Sequence, residues 1–305
     1  MKDVFVSKII RDEDMEKRAN TFVCPKDIRQ IYRTDVDIYD EATGNLLVRF
    51  RKNMLSPKHT RDFYEATYDY TSKMMTSNRG NTTGSESRNV RDNPKVKSTI
   101  LGYFDRWSPK EKSLFKKQGK KMPLEVRETK FSADHPDKFQ KTLPLIKSID
   151  KFYRKMLKSF YRKQRQKADQ THFKIEGTSF TTITTNINFQ TSIHKDRGDD
   201  EEGFGNLAVI ERGEYTGAET CLPQYGIGID VRQGDILFMD VHEWHGNLPM
   251  IPQTQDATRM SIVCYLRTKV WERTRNKGRT FKKSHLKYIK DAKSKTQKHK
   301  THKKK

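Results

Sequence analysis

Phe180-Thr181-Thr182-Ile183-Thr184-Thr185-Asn186-Ile187-Asn188-Phe189, followed closely by Ser192-Ile193-His194-Lys195-Asp196, decides the reading of this 305-residue chain. Apolar and polar residues alternate along 180–189. Ile183, Ile187 and Phe189 fall on one face, and Thr182, Thr184, Asn186 and Asn188 on the other. A period of two marks a strand with distinct faces. If the alternation runs on, His194 and Asp196 share a parity and point the same way. Shorter strand candidates follow at 206–212, 218–222, 227–232, 235–240 and 258–267, with turns such as Gln233-Gly234-Asp235 between them. Many short strands separated by Gly and Pro predict a sandwich or double-sheet jelly roll.

Upstream the pattern is mixed. Asp35-Val36-Asp37-Ile38-Tyr39 and Leu46-Leu47-Val48-Arg49-Phe50 flank a turn-rich segment and predict a hairpin over 35–55. Ser56-Pro57 opens a helix through about Met75, since proline suits a first helical turn. The polar residues 76–95 predict a loop. A long helix is expected over 143–167, where Ile146, Ile149, Tyr153, Met156 and Phe160 recur at three- and four-residue steps. Its other face carries Lys147, Lys151, Arg154, Lys155, Lys158, Arg162 and Lys163, with no acid between Lys151 and Ala168 to pair with them along the helix. That face is either solvated or turned to phosphates. Helices gathered ahead of the strands would brace one sheet from outside. The expected division is an N-terminal hairpin and helical support region (1–120), a β-rich core (121–268) and a basic, largely disordered tail (269–305).

Hydrophobic and charged residues each make up 33% of the chain, and the formal net charge is +23. Residues 269–305 hold 16 Lys or Arg against Glu272 and Asp291, which leaves +9 on the first 268 residues. Such a balance implies a polyanionic partner, nucleic acid before an anionic membrane surface. The end, Lys298 to Lys305, has almost nothing to bury and is expected to be disordered. It reads as a solvated or nuclear-import tail, as a nucleic-acid-contacting arm, or as both. No apolar run reaches the roughly 18 residues of a membrane span, and Met1-Lys2-Asp3-Val4 does not open a signal peptide. Cys24, Cys221 and Cys264 fit neither a disulfide framework nor a zinc site. The expectation is an intracellular monomer in a reducing compartment, nuclear in a eukaryote or in the infected host cell if viral.

The chemistry rests on a constellation. A lone His-x-Asp is weak: with 9 His and 23 Asp, roughly 0.7 such triplets arise by chance. His135-Pro136-Asp137 is such a decoy, in a turn-like stretch where Pro136 breaks any strand. His194 and Asp196 differ because His245-Gly246-Asn247 follows the strand Ile236-Leu237-Phe238-Met239-Asp240, and Arg259-Met260-Ser261 lies beyond. Two imidazoles and a carboxylate can hold Fe(II) on one face and leave three positions open for a cosubstrate and dioxygen. Arg259 and Ser261, two apart on a strand, offer a planar fork and a hydroxyl to the far carboxylate of 2-oxoglutarate. Asn188 is a further candidate contact for that cosubstrate. His242 competes with His245 as third ligand, and otherwise is a supporting or loop residue.

Thr184-Thr185-Asn186-Ile187-Asn188-Phe189, His194-Lys195-Asp196-Arg197-Gly198-Asp199, Gly203-Phe204-Gly205 and Gln233-Gly234-Asp235-Ile236-Leu237-Phe238-Met239-Asp240 with His242-Glu243-Trp244-His245-Gly246-Asn247 together resemble the TET/JBP family of 2-oxoglutarate- and Fe(II)-dependent dioxygenases, in its short single-domain form. The likeness covers about residues 120–268. It implies an α+β fold with a double-stranded β-helix (jelly-roll, cupin-like) core. It also implies oxidation of the methyl group of a 5-methylpyrimidine in nucleic acid, DNA first, with 2-oxoglutarate and O2 consumed. The larger members' cysteine-rich region and separate DNA-binding domain have no counterpart, so thymine and 5-methylcytosine both stay open. In that family a polar side chain three positions after the metal-binding Asp contacts the flipped base. Here that is Asp199, whose other reading is a place in the solvated acidic run Asp199-Asp200-Glu201-Glu202. Two rivals remain: a hydroxylase of a protein side chain or small molecule on the same fold, and a non-catalytic basic jelly roll.

Overall fold

The computed structural model describes residues 2–74, 82–84 and 96–302, with side chains in the last helix as far as Ser294. The loop expected at 76–95 lies outside the described residues apart from 82–84. In chain order the first half contains β1 (Lys2–Val6), α1 (Asp12–Lys17), β2 (Gln30–Tyr32), β3 (Val36–Asp40), β4 (Leu46–Arg51), α2 (Pro57–Ser72), β5 (Lys97–Phe104), α3 (Pro109–Lys117), β6 (Arg127–Glu128), α4 (Lys130–Asp134), α5 (Pro136–Met156) and α6 (Lys158–Asp169). The second half is strand-rich: β7 (Thr182–Ile187), β8 (Gly205–Arg212), β9 (Tyr215–Gly217), β10 (Thr220–Leu222), β11 (Ile227–Ile229), β12 (Ile236–Met239), β13 (Gly246–Asn247), β14 (Met250–Pro252) and β15 (Thr258–Tyr265). Two helices, α7 (Thr268–Thr274) and α8 (Arg279–His302), close the chain.

Among the described residues the main sheet has nine strands in the order β1-β3-β4-β12-β8-β15-β7-β5-β6, and β13-β10-β11-β2 form a four-stranded sheet. The alternation in β7 explains the layering. Ile183 and Ile187 join Phe63, Leu145, Ile149 and Tyr153 in a core where α2 and α5 cover the main sheet from outside. Leu207, Val209 and Leu237 of the main sheet join Leu222, Ile227 and Ile229 of the smaller one in a second core between the sheets. Each such side chain, fully buried, contributes on the order of 1.5–3 kcal/mol. All six residues of β7 are buried, because its polar face looks into the cleft between the sheets and not into water. This is the jelly-roll core that the strand pattern predicts.

The expected hairpin forms, with β3 antiparallel to β4. It is not a support outside the core, however: β1, β3, β4 and β5 are strands of the main sheet and β2 belongs to the smaller one, so the core reaches back into residues 2–104. The strand expected at 227–232 ends at Ile229.

The long helix expected at 143–167 begins earlier, at Pro136, and is broken at Leu157, whose φ of −123° and ψ of 56° are not helical. Leu157 turns into the outer core, and Arg49, itself paired with Asp37, donates to the Met156 carbonyl beside the break. The basic face is also less bare than expected. Lys163 pairs with Glu202, and Lys167 with Asp200 and Glu202, acids that the fold brings from another segment.

The expectation of a disordered tail is corrected as well. In α8, His285, Ile289 and Ala292 are buried, and Ile289, Ala292 and Leu286 pack on Trp107 and Phe115. The spacing Phe281, His285, Ile289, Ala292 is an amphipathic stripe, hidden in the sequence by the density of lysine around it.

Candidate active site

His194 and Asp196 lie beyond β7, and His245 immediately precedes β13. A short antiparallel bridge ties the two segments. The His194 amide donates to the His245 carbonyl at 2.9 Å, and the His245 amide donates back to the His194 carbonyl at 3.0 Å. The Asp196 amide donates to the Val241 carbonyl at 2.9 Å. Gly246 lets the segments close: a Cβ there would stand 3.1 Å from the Thr191 carbonyl oxygen and 3.3 Å from the Ser192 carbonyl carbon.

The result is the group of His, Cys, Asp or Glu side chains fit to hold a metal among the described residues. One ligand atom each from His194, Asp196 and His245 lies within 4.8 Å of the others. Nε2 of His194 is 3.6 Å from one carboxylate oxygen of Asp196, and Nε2 of His245 is 3.7 Å from the other. Each imidazole is fixed from behind. Nδ1 of His194 sits 2.7 Å from the Ser192 carbonyl and Nδ1 of His245 sits 2.9 Å from that of Glu243. A ring N–H donating to those carbonyls leaves the lone pair on Nε2, facing Asp196, as a divalent metal requires.

The competing assignments separate. Nε2 of His242 faces the Asp200 carbonyl at 3.3 Å, and it is His245 that stands with His194 and Asp196. His135 starts α5 against the rings of Tyr70 and Phe131 and takes no part.

The cluster opens on a cavity of about 110 Å³ lined by Thr184, Asn186, Arg259 and Ser261, and also by Asp199, Tyr265 and Arg267. Arg259 and Arg267 are eight residues apart along β15 and its continuation, roughly 25 Å if extended. The cleft thus has a cation at each end. Arg259 is 6% exposed, and its Nε has no hydrogen-bond partner. Burial pushes its pKa down, while Tyr215 and Glu211 nearby favour the charge. A buried guanidinium with an unmet N–H costs roughly 1–3 kcal/mol until an acceptor arrives, and a small-molecule carboxylate fits that need. Ser261 is positioned by Asn186, whose amide donates to its hydroxyl at 3.3 Å and accepts from Ser98 at 2.7 Å.

Asn188 departs from its expected place. Its φ of 48° breaks the alternation. Its side chain accepts from the Arg259 amide at 2.7 Å and donates to the Ala257 carbonyl at 3.2 Å, so it braces the backbone that carries Arg259 and does not line the cavity. Asp199 is 7% exposed and lines the cavity, which removes the solvated-loop reading. Its neighbour Asp200 is ion-paired with Lys167.

Arg267 was not legible as a site residue. Its partner Asp105, which accepts from its Nε at 2.5 Å, lies 162 residues away in sequence. The guanidinium also stacks 4.7 Å over the Phe104 ring, and Asp199 bridges to Arg267 through the backbone. Tyr265 is held by the Thr184 hydroxyl at 3.1 Å. A parity signal exists for both, since Tyr265 and Arg267 share the parity of Arg259 and Ser261 in the strand expected at 258–267, but parity alone does not say which of these positions reach the cleft.

The family model Tet_JBP, described as the oxygenase domain of the 2OGFeDO superfamily, matches residues 113–268. Thymine dioxygenase JBP1 of Trypanosoma brucei brucei is 32% identical over 177 residues, which are 57% of this chain and 20% of that protein. The bifunctional helicase and thymine dioxygenase JBP2 of Leishmania braziliensis is 37% identical over 142 residues, 47% of this chain and 13% of that one. The chain thus spans a fifth or less of the length of these curated relatives. Among solved structures, NgTET1 in complex with 5mC DNA superposes with a TM-score of 0.54 at 13% identity, covering 85% of this chain and 92% of that one, a likeness of fold.

Proposed function

The chain belongs to the Tet_JBP family, the oxygenase domain of the 2OGFeDO superfamily, and on that premise we propose that it is an Fe(II)- and 2-oxoglutarate-dependent dioxygenase acting on the methyl group of a 5-methylpyrimidine in DNA. The observation that carries this reading is the pairing of two Nε2-presenting histidines and Asp196 with the unpartnered Nε of buried Arg259 in one cleft. His194, Asp196 and His245 are the residues to hold the iron. Bound iron with 2-oxoglutarate and O2 supplies the oxidising power for an inert methyl C–H bond. Arg259 grips the distal carboxylate of 2-oxoglutarate, Ser261 adds a hydroxyl, and Asn188 and Asn186 keep both in place.

The Asp199, Tyr265 and Arg267 end of the cleft receives the base. A methyl group inside a duplex cannot reach a buried metal, so the nucleotide is flipped out of the stack. The two charged groups suit thymine. An ionised Asp199 accepts from the ring N–H, and Arg267, which only donates, meets a carbonyl oxygen. Cytosine would set the lone pair of its ring nitrogen against the carboxylate. The matched relatives are named thymine dioxygenases, which supports the same base.

The test is succinate release and nucleoside mass spectrometry with DNA whose methyl groups are on thymine, on 5-methylcytosine, or on both. Oxidised thymine as the major product is expected, with Asp199→Asn shifting the ratio toward 5-methylcytosine because an amide can also donate. Succinate release driven by a peptide and not by any DNA would replace this reading with a protein hydroxylase on the same fold.

A further inference from the structure

The chemistry of the cleft says nothing about how the DNA around a flipped base is held, and the C-terminal helices bear on that. α7 begins at Thr268, next to Arg267 of the cleft, and its hydroxyl donates to the Asp199 carbonyl at 3.0 Å. Arg273 of α7 donates to the carbonyl of Asp105, the carboxylate that holds Arg267. α8 then docks on α3 through Ile289 and Ala292 against Trp107 and Phe115. The buried stripe leaves the opposite face outward, and Arg279, Lys283, Lys287 and Lys290 recur on it at steps of four, four and three, all exposed. They lie within 12 residues, eleven helical rises or about 16 Å of helix. Of the acids nearby, Glu111 pairs with Lys293, and Glu125 with Lys112 and Arg273, while exposed Asp291 of α8 adjoins Lys290 and offsets one charge of the row. α3 adds exposed Lys116 and Lys117 beside the seam.

We propose that Arg279, Lys283, Lys287 and Lys290 form a phosphate-contact stripe that grips the backbone of duplex DNA next to the cleft. A 16 Å length of duplex carries roughly nine backbone charges, so the stripe meets a dense anion along its whole extent. Its root is α7, whose first residue, Thr268, is hydrogen-bonded to Asp199 beside Arg267, so the stripe and the cleft belong to one continuous, docked stretch of chain. This deepens the DNA reading of the site and rests on it for the identity of the polyanion. The contact is sequence-independent, since phosphates carry no base information.

The experiment measures affinity for a short duplex across a range of salt concentrations, without turnover. It compares the full chain, the variant R279Q/K283Q/K287Q/K290Q, and a control, K151Q/R154Q/K155Q/K158Q, which removes equal charge from α5 and α6. At about 0.9 in log–log slope per phosphate contact, the α8 variant is expected to lose about 3 to 4 from the slope and the control to keep it. Equal slopes for the full chain and the α8 variant, or equal losses in both variants, would overturn the proposal. If the quadruple variant does not fold, K283Q and K287Q singly serve, each expected to lower the slope by about 0.9. A full chain that oxidises no methylated DNA would sink the substrate reading alone, because the slopes are read from binding.

Discussion

His194 and His245 are committed to one tautomer by carbonyls two residues behind each ring, so the metal positions are pre-set by backbone. His245→Ala is expected to abolish turnover with the fold kept, and His242→Ala, whose ring faces the Asp200 carbonyl, to retain it; the reverse outcome would move the third ligand. Arg259 asks for a flat two-pronged contact that lysine cannot give. Arg259→Lys is therefore expected to raise the half-saturating 2-oxoglutarate concentration about 10- to 100-fold, the loss of one charge-assisted bond of roughly 1.5–3 kcal/mol. An unchanged requirement would remove the assignment. These residues could be read from the sequence because their spacing follows strand parity and short turns. Asn188 could not be placed that way: a left-handed φ at one residue turns its side chain from cleft lining into a brace on Arg259, and parity holds only while the backbone stays extended. Arg267 was missed for a different reason, since it owes its place to Asp105, a partner no local pattern reports.

At the level of elements, apolar patterning located β7, β8, β12, β15 and most of α5, and Ser56-Pro57 located α2, but patterning could not see where a continuous stripe breaks. The stripe from Ile146 to Phe160 runs through Leu157 without interruption in sequence, and the break comes from tertiary packing and from Arg49 on a distant strand. α8 erred the other way, its four-residue apolar stripe being masked by lysines. Its docking carries a pH signature. His285 is buried in the seam with Nε2 2.6 Å from the Val126 carbonyl, and desolvation holds its pKa below the ordinary 6.5. The unfolded chain then binds the proton more readily than the folded one, so the stabilising contribution is full above pH 6.5 and declines as pH falls from there toward the depressed folded value. Thermal unfolding from pH 8 to 5 is expected to show this loss, and His285→Gln to flatten it. A wild-type and variant pair with parallel pH profiles would mean that His285 titrates alike in both states.

Over the whole molecule, catalytic and gripping functions fall on different parts of one chain. The cleft is built between the two sheets, from segments stitched by the His194–His245 bridge and by β7 and β15. α8 instead covers Trp107, Phe115 and, through His285 and Phe281, the ring of Phe173. The net charge of +23 is divided accordingly, with +14 beyond residue 268. Ending the chain at Lys277 therefore separates two quantities that a general loss of folding would lower together. Removing the buried faces of Ile289 and Ala292, with half-buried Leu286, forfeits about 2–5 kcal/mol by area, and the melting temperature is expected to fall by on the order of 5–10 °C. Affinity of the His194, Asp196 and His245 group for a spectroscopic divalent ion such as Co(II) is expected to stay within a factor of two at 20 °C, since the backbone bonds that hold its segments come from Asn20, Thr21, Thr82 and residues 191–247, all ahead of the deletion. A truncated protein that still folds but binds Co(II) tenfold more weakly would show that the docked helix stiffens the cleft, and the molecule would then act as one unit instead of a rigid catalytic core with a gripping arm.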